Sequence, residues 1–282
     1  MRSLLFVPAD RPERFAKAAA TGVDALILDL EDSVVADRKP FGREEVVAYL
    51  RSAHPLPKLF VRVNPQGSPH IAADLTALRG MRPDGIVMPK AEGAASVMAL
   101  AKLLETNDIK APILPIATET PRAMFQLGSY ADVATSLAGL TWGAEDLPAA
   151  MGAATSRETD GRYTPPYELA RSLTLFAAHA ANVDAIETVY PDFKDLTGLS
   201  AYVARAVRDG FTGMMAIHPS QVAIINAGFT PSDSAIAHAQ EIADSFAAHP
   251  NAGALQINGR MVDAPHLKQA LRLLARVNHK NT

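Results

Sequence analysis

Cysteine is absent from the 282 residues. That excludes disulfides, thiolate nucleophiles and cysteine-held metals, and it fits a cytoplasmic protein. An excess of one charge is also lacking, since 27 Lys and Arg face 30 Asp and Glu for a formal charge of -3. With no basic excess, no Lys/Arg-rich run and only 6% aromatic residues, nucleic acid is not an expected partner. Long apolar runs are missing as well. The longest are strand-sized, and the opening MRSLLFVPADRPERF meets proline and charge too early for a secretory segment, so no membrane association is expected. Neither GxGxxG nor a phosphate-loop motif occurs. Their absence counts against a doubly wound nucleotide-binding sheet.

What is present is an alternation of short apolar runs and longer helical patterns. The runs are LLFV (4–7), DALILD (24–29), KLFVRV (58–63), GIVM (85–88), ILPIA (113–117), LAGLTW (137–142), DAIE (184–187) and GMMAI (213–217). Most lack polar alternation, as parallel strands covered on both faces do. Between them EEVVAYL, AASVMALAKLLE, YELARSLTLFAAHAA and LSAYVARAVRDG repeat their apolar residues at helical spacing. Eight strand-plus-helix units predict an α/β fold, a (β/α)₈ TIM barrel over 1–230. Residues 148–166 form a long polar connection, of a length that marks functional lids or disorder. Residues 231–282 make a second, smaller segment: a helix opened by Ser232, a hairpin turning at Asn258-Gly259, and a last helix with Leu267, Leu271 and Leu274 on one face. That tail covers the barrel mouth as a lid, reaches onto a neighbouring subunit, or packs outside as a plain helix pair.

A barrel gathers its chemistry at the C-terminal ends of its strands. Reading those ends in order gives Asp29, Glu31 and Asp32, then Arg62 and Asn64, Lys90, Glu119, Glu145 with Asp146, and His218. Acids collected around one mouth repel unless a cation neutralises them, and oxygen-only ligands suit a hard ion such as Mg²⁺. Zinc does not fit, because there is no cysteine and no HxxxH pair. Arg62 offers a planar fork for a substrate carboxylate, so Mg²⁺ plus Arg describes a site for a small 2-oxo or 2-hydroxy acid. Local readings compete at single positions. Asp10 and Asp32 are candidate helix caps, Lys90 an ion-pair partner or a Schiff-base lysine, His218 a loop-fixing residue and Trp142 a core residue.

The segments RSLLFVPADRPERFAKA, DALILDLEDSV, VRVN, GIVMPKAE, GAEDL, AIHPSQ and GRMVDAP occur in that order. Together they resemble the citrate lyase β-subunit-like family of malyl-CoA, citramalyl-CoA and citryl-CoA lyases, over nearly the whole chain. The resemblance implies a (β/α)₈ barrel in a homotrimer or dimer of trimers. It also implies Mg²⁺-dependent cleavage or formation of a 3-hydroxyacyl-CoA from an acyl-CoA and a 2-oxo acid. Carried over by position, it puts magnesium on Glu119 and Asp146 and the substrate carboxylate on Arg62, with the backbone around Glu145 and Asp146 touching the oxo acid. CoA contacts fall on Phe6, Arg11 and Lys17, with Ile217 and His218 lining the same channel. Asp263 falls on the acid–base position, in a segment that in relatives reaches a neighbouring subunit's site. Glu31 and Asp32 would then serve the metal's outer shell. The sequence departs from relatives at Ala9, at Thr118 and Pro121 beside Glu119, and at Met214-Met215. Two rivals remain: an aldolase of the same fold acting on free 2-oxo acids, and a non-catalytic CoA-binding subunit.

Overall fold

The computed structural model describes residues 1–52 and 57–278. It divides into two compact units, Met1–Phe229 and Thr230–Thr282. In the first unit the strands are β1 (Ser3–Pro8), β2 (Ala25–Asp29), β3 (Lys58–Arg62), β4 (Gly85–Met88), β5 (Ile113–Pro115), β6 (Leu140–Thr141), β7 (Ala185–Glu187) and β8 (Gly213–Ala216). They form one eight-stranded sheet in the order β5-β4-β3-β2-β1-β8-β7-β6, and every paired neighbour is parallel. Isolated parallel bridges, Ile113 to Leu137 and Ile116 to Thr141, join β5 to the β6 segment and complete the ring. Each expected strand is present. Runs without polar alternation become strands because both faces are buried.

One core layer is built from strand residues alone. Leu4, Ala25, Ile27, Phe60, Val87, Leu114, Ile116, Ile186 and Met215 fill the barrel interior. The opposite faces of the strands, such as Leu5, Leu26, Leu28 and Val61, pack with residues of the surrounding helices into a larger cluster. Those helices are α1 (Phe15–Ala19), α2 (Lys39–Arg51), α3 (Ile71–Ala77), α4 (Ala94–Thr106), α5 (Asp146–Met151), α6 (Pro165–Ala180), α7 (Leu196–Asp209) and α8 (Pro219–Phe229).

Three local expectations are corrected. The crossover from β5 to β6 holds 3₁₀ turns, Ala123–Phe125 and Leu127–Ser136, in place of an α-helix. Its buried residues Leu127, Tyr130 and Val133 recur every third position, the period of the tighter helix. The connection expected over 148–166 is shorter. Its first residues belong to α5, which ends where Gly152 turns left-handed at φ 71°, and Pro165-Pro166 already open α6, where proline is tolerated. Neither Asp10 nor Asp32 caps a helix; Arg11 and Val35 hold the two positions that flank the 3₁₀ turns there.

The second unit consists of α9 (Asp233–Ala248), a hairpin of β9 (Ala254–Ile257) and β10 (Arg260–Asp263), and α10 (Ala264–Asn278). Ser232 caps α9 by accepting from the Ala235 N–H. Asn258 and Gly259, at φ 51° and 77°, make the two-residue turn that the sequence signalled. Ala239, Ile242, Ile257, Val262 and Ala270 are its buried core. The apolar face of α10 is rotated from the one expected: Ala270 is buried, Leu267 and Leu274 pack at the edge of the core, and Leu271 is 50% exposed. No helix among the described residues is long and apolar enough to cross a membrane.

Candidate active site

Parallel register places Asp29 and Arg62, the last residues of β2 and β3, side by side. Arg62 uses both prongs of its fork there, Nε to Asp29 Oδ1 and Nη2 to Asp29 Oδ2, each at 2.7 Å. Its remaining terminal nitrogen, Nη1, lies 2.9 Å from Glu31 Oε2, and the Phe6 ring sits under the guanidinium at 4.8 Å. The fork expected to be open for a substrate carboxylate is therefore occupied by Asp29. Burial works against the Arg62 charge, but Asp29 and Glu31 more than offset it and hold its pKa above the ordinary guanidinium value. Burial likewise pushes Asp29 up, and Arg62 with the Ser33 hydroxyl and the Glu31 N–H brings it below the usual carboxylate value.

A second cation sits on the acids. Lys90 follows β4 and Pro89, and its Nζ lies 3.0 Å from Glu31 Oε1 and 3.1 Å from Asp146 Oδ2. Its backbone N–H donates to Glu119 Oε2 at 2.5 Å. Lys90 is thus an ion-pair partner of neighbouring acids. Burial disfavours its charge, yet Glu31, Asp146 and Glu119 raise its pKa, which counts against the neutral amine a Schiff base requires. Glu119 is pushed up to about 8, first by burial and further by Glu31 and Asp146, against the hydrogen bond from Lys90. Glu31, 3% exposed, is also raised by burial, with Asp32 adding to it and Arg62 opposing.

Among the residues that support the cluster, Thr118 and Asn64 stand out in the sequence, whereas Gly143 and Lys39 are less conspicuous. Gly143, directly after the β6 segment, leaves room for Glu119: a Cβ there would meet Glu119 Cγ at 2.8 Å. Thr118, one of the departures from relatives, accepts from the Gly143 N–H at 3.1 Å and donates to the Gly143 carbonyl at 3.0 Å, tying the end of β5 to the end of β6. Lys39 is buried, and its Nζ donates to the carbonyls of Leu30 and Glu31 at 2.6 and 2.7 Å. Asn64 donates to the same Leu30 carbonyl and to Asp74, which Arg43 also engages. Together they fix the peptide that carries Glu31. Glycine just after a strand is the legible mark of Gly143. At the end of β7 the buried Glu187 accepts from Trp142 Nε1, Arg171 Nε, Tyr202 Oη and the Thr188 N–H. Trp142 is accordingly core, anchored by its ring nitrogen.

Other expected residues make contacts of their own. Arg11 and Lys17 are exposed on the first crossover, Arg11 3.9 Å from Asp10. Glu145 and Asp32 are exposed. At the end of β8 Ile217 is 42% exposed, and His218 stacks on Phe193 at 4.8 Å with its Nδ1 2.7 Å from Ser220 Oγ. The loop there is fixed by the buried Gln221, which accepts from the Ile217 and His218 N–H groups. In the second unit Asp263 ends β10, with its Oδ1 2.5 Å from His266 Nδ1.

The donor set suits a hard divalent ion. Glu119 and Asp146 present carboxylate oxygens from neighbouring strand ends, and Glu31 Oε2 is buried in an ion pair with Arg62 Nη1 at 2.9 Å but accepts no well-aligned hydrogen bond. Among the described residues, no three His, Asp or Glu side chains stand together as a ready-made metal cage. The Lys90 ammonium lies between Glu31 and Asp146 instead.

The family model described as HpcH/HpaI aldolase/citrate lyase matches residues 2–219. A citrate lyase subunit beta-like protein of Mycobacterium tuberculosis is 38% identical over 273 residues, covering 96% of this chain and 94% of that one. An L-malyl-CoA/beta-methylmalyl-CoA lyase of Cereibacter sphaeroides is 31% identical, covering 95% and 92%. The solved structure of CitE from M. tuberculosis, in complex with magnesium, acetoacetate and coenzyme A, superposes with a TM-score of 0.80 at 36% identity, over 98% of both chains.

Proposed function

Since the chain belongs to the HpcH/HpaI aldolase/citrate lyase family, we propose that it is a magnesium-dependent carbon–carbon lyase. It cleaves, or in reverse forms, a 3-hydroxyacyl-CoA of the malyl-, citramalyl- or citryl-CoA kind, yielding acetyl-CoA or a related acyl-CoA and a 2-oxo acid. The observation that carries this reading is that Glu31, Glu119 and Asp146, from three strand ends, all contact Lys90, with Arg62 on Glu31.

Glu119 and Asp146 would hold the ion, with Glu31 in its outer shell. When bound, magnesium supplies Lewis-acid polarisation of the oxo group that cleavage creates. Arg62 contributes positive charge beside the substrate carboxylate, since its fork already holds Asp29. In cleavage the hydroxyl proton passes to solvent water, the oxygen becomes a carbonyl, and the carbon–carbon electron pair moves onto the thioester's α-carbon. Asp263 delivers a proton to that carbon, and abstracts it in condensation. His266, at 2.5 Å, fixes the carboxylate of Asp263 for that task. The 231–282 segment is assigned the lid role, because an acid brought in on closure meets the substrate after water has left. Arg11 and Lys17 offer exposed cations for the CoA phosphates, with Ile217 and His218 along the same channel. Phe6 forms part of the wall under Arg62. A cytoplasmic homotrimer or dimer of trimers completes the proposal, and light scattering should return three or six times the 30.0 kDa chain mass.

The test mixes the protein with magnesium, acetyl-CoA and either glyoxylate or pyruvate. Consumption of the thioester, abolished by chelator, is the expected result. Undiminished turnover in chelator would refute the metal's role. Carbon–carbon bond formation between free oxo acids, with the thioester untouched, would favour the aldolase.

A further inference from the structure

Lys90 is held in a backbone conformation that its residue type avoids. Four non-glycine residues among those described have positive φ: Lys90, Asp108, Asn182 and Asn258. Asp and Asn tolerate the left-handed region because their short polar side chains bond locally, whereas lysine has no such compensation. Strain of this kind persists where the surroundings impose it. Here the surroundings are three carboxylates from three different strand ends. At φ 50° the Lys90 N–H reaches Glu119 while its ammonium reaches Glu31 and Asp146.

The charges around the mouth pair off unevenly. Arg62 is committed to Asp29 through both prongs, with Glu31 on its remaining nitrogen. Lys90 is the cation on Asp146, and Asp146 is one of the two residues that would hold magnesium. An ammonium at 3.1 Å and a divalent ion bound to the same carboxylate repel one another, and both draw on the same oxygen electrons. They therefore compete at that carboxylate.

We propose that the Lys90 ammonium is a built-in counter-ion that keeps Glu31 and Asp146 assembled in the metal-free protein and must release Asp146 when magnesium enters. The lysine weakens magnesium affinity in return for a site that stays in place while empty. Magnesium uptake is thus an exchange of one cation for another. This rests on the reading of Glu119 and Asp146 as the magnesium ligands.

The experiment is calorimetric titration of magnesium into chelator-stripped wild type, Lys90→Met and Lys90→Arg. Methionine keeps an unbranched side chain one atom shorter, and the backbone cost, while removing the charge. Lys90→Met should bind magnesium at least tenfold more tightly and, without metal, melt at a lower temperature. Lys90→Arg should bind within a few-fold of wild type. If Lys90→Met binds no tighter than wild type, the exchange is refuted and the ligand assignment stands. If stripped wild type takes up no magnesium, the ligand assignment itself falls and this inference with it. Should Lys90→Met fail to fold, the wild type decides through amine labelling read by mass spectrometry. Magnesium should speed acetylation of Lys90 several-fold, and unchanged or slower labelling would overturn the proposal.

Discussion

Arg62→Met removes the cation bound to Asp29, and its cost can be worked from burial. Asp29 is 1% exposed and Glu31 3%, so both lose an ion partner in a place that water does not reach. Removing one member of a buried pair costs about 3–5 kcal/mol, because the remaining charge is left uncompensated. The unit Met1–Phe229 is large, so each kcal/mol moves the melting temperature by roughly 2–4 °C. A fall of roughly 6–20 °C is therefore expected in chelator-stripped protein. Arg62→Lys keeps the charge and loses one prong of the fork. A charge-assisted hydrogen bond contributes about 1.5–3 kcal/mol, so its melting temperature should fall between the other two. Differential scanning calorimetry with substrate absent makes the measurement. If Arg62 served the substrate alone, both variants would melt with wild type and differ only in KM. A shift of less than about 2 °C for Arg62→Met would refute the view of Arg62 as the keystone of the acid cluster.

Gly143→Ala should place a methyl group against Glu119 Cγ and Ile116 Cγ2, costing about 1–3 kcal/mol of stability and weakening magnesium binding; unchanged affinity by calorimetry would show that Glu119 moves freely. Asp263→Asn should retain folding, magnesium and oxo-acid binding yet lose about 10²–10⁴-fold in turnover, and an unimpaired variant removes Asp263 from its role. Asp24 supplies a pH test outside the site. Burial pushes its carboxyl up, but Arg2 and the N-terminal charge outweigh that and hold it below 3.8. Its ionised form thus favours the folded chain, a contribution complete above the unfolded value and lost as pH falls toward the folded one. Asp24→Asn should flatten the acid limb of the stability profile, and identical limbs in acid titrations would contradict the pairing.

The barrel was legible because buried parallel strands announce themselves as uninterrupted apolar runs, and each run from LLFV to GMMAI became a strand. The polar strand ends were legible for the same reason, since a charged residue just past such a run must surface at a mouth. What local pattern could not carry was pairing across the sheet. Nothing in VRVN says that the Arg62 fork belongs to Asp29, 33 positions earlier. Lys39 reads as an ordinary helix-opening lysine until its ammonium is found on two carbonyls of the loop after β2. The 3₁₀ crossover was hidden because residues three apart, such as Leu127, Tyr130 and Val133, also fall on one face of an α-helix. On α10 a broad apolar stripe let Leu271 stand in for the smaller Ala270.

The ring has one thin seam. Seven junctions are continuous ladders, whereas β5 meets the β6 segment through isolated bridges, with Ala117 donating to Thr141 and Ala138 to Ile113, and through the Thr118 hydroxyl on Gly143. Glu119 and Asp146 follow the two sides of that same seam. An ion gripped by both would act as a clasp on a barrel stave, so loading the site should also tighten the staves. The Ala117 and Ala138 amides should then exchange with deuterium more slowly once magnesium is added.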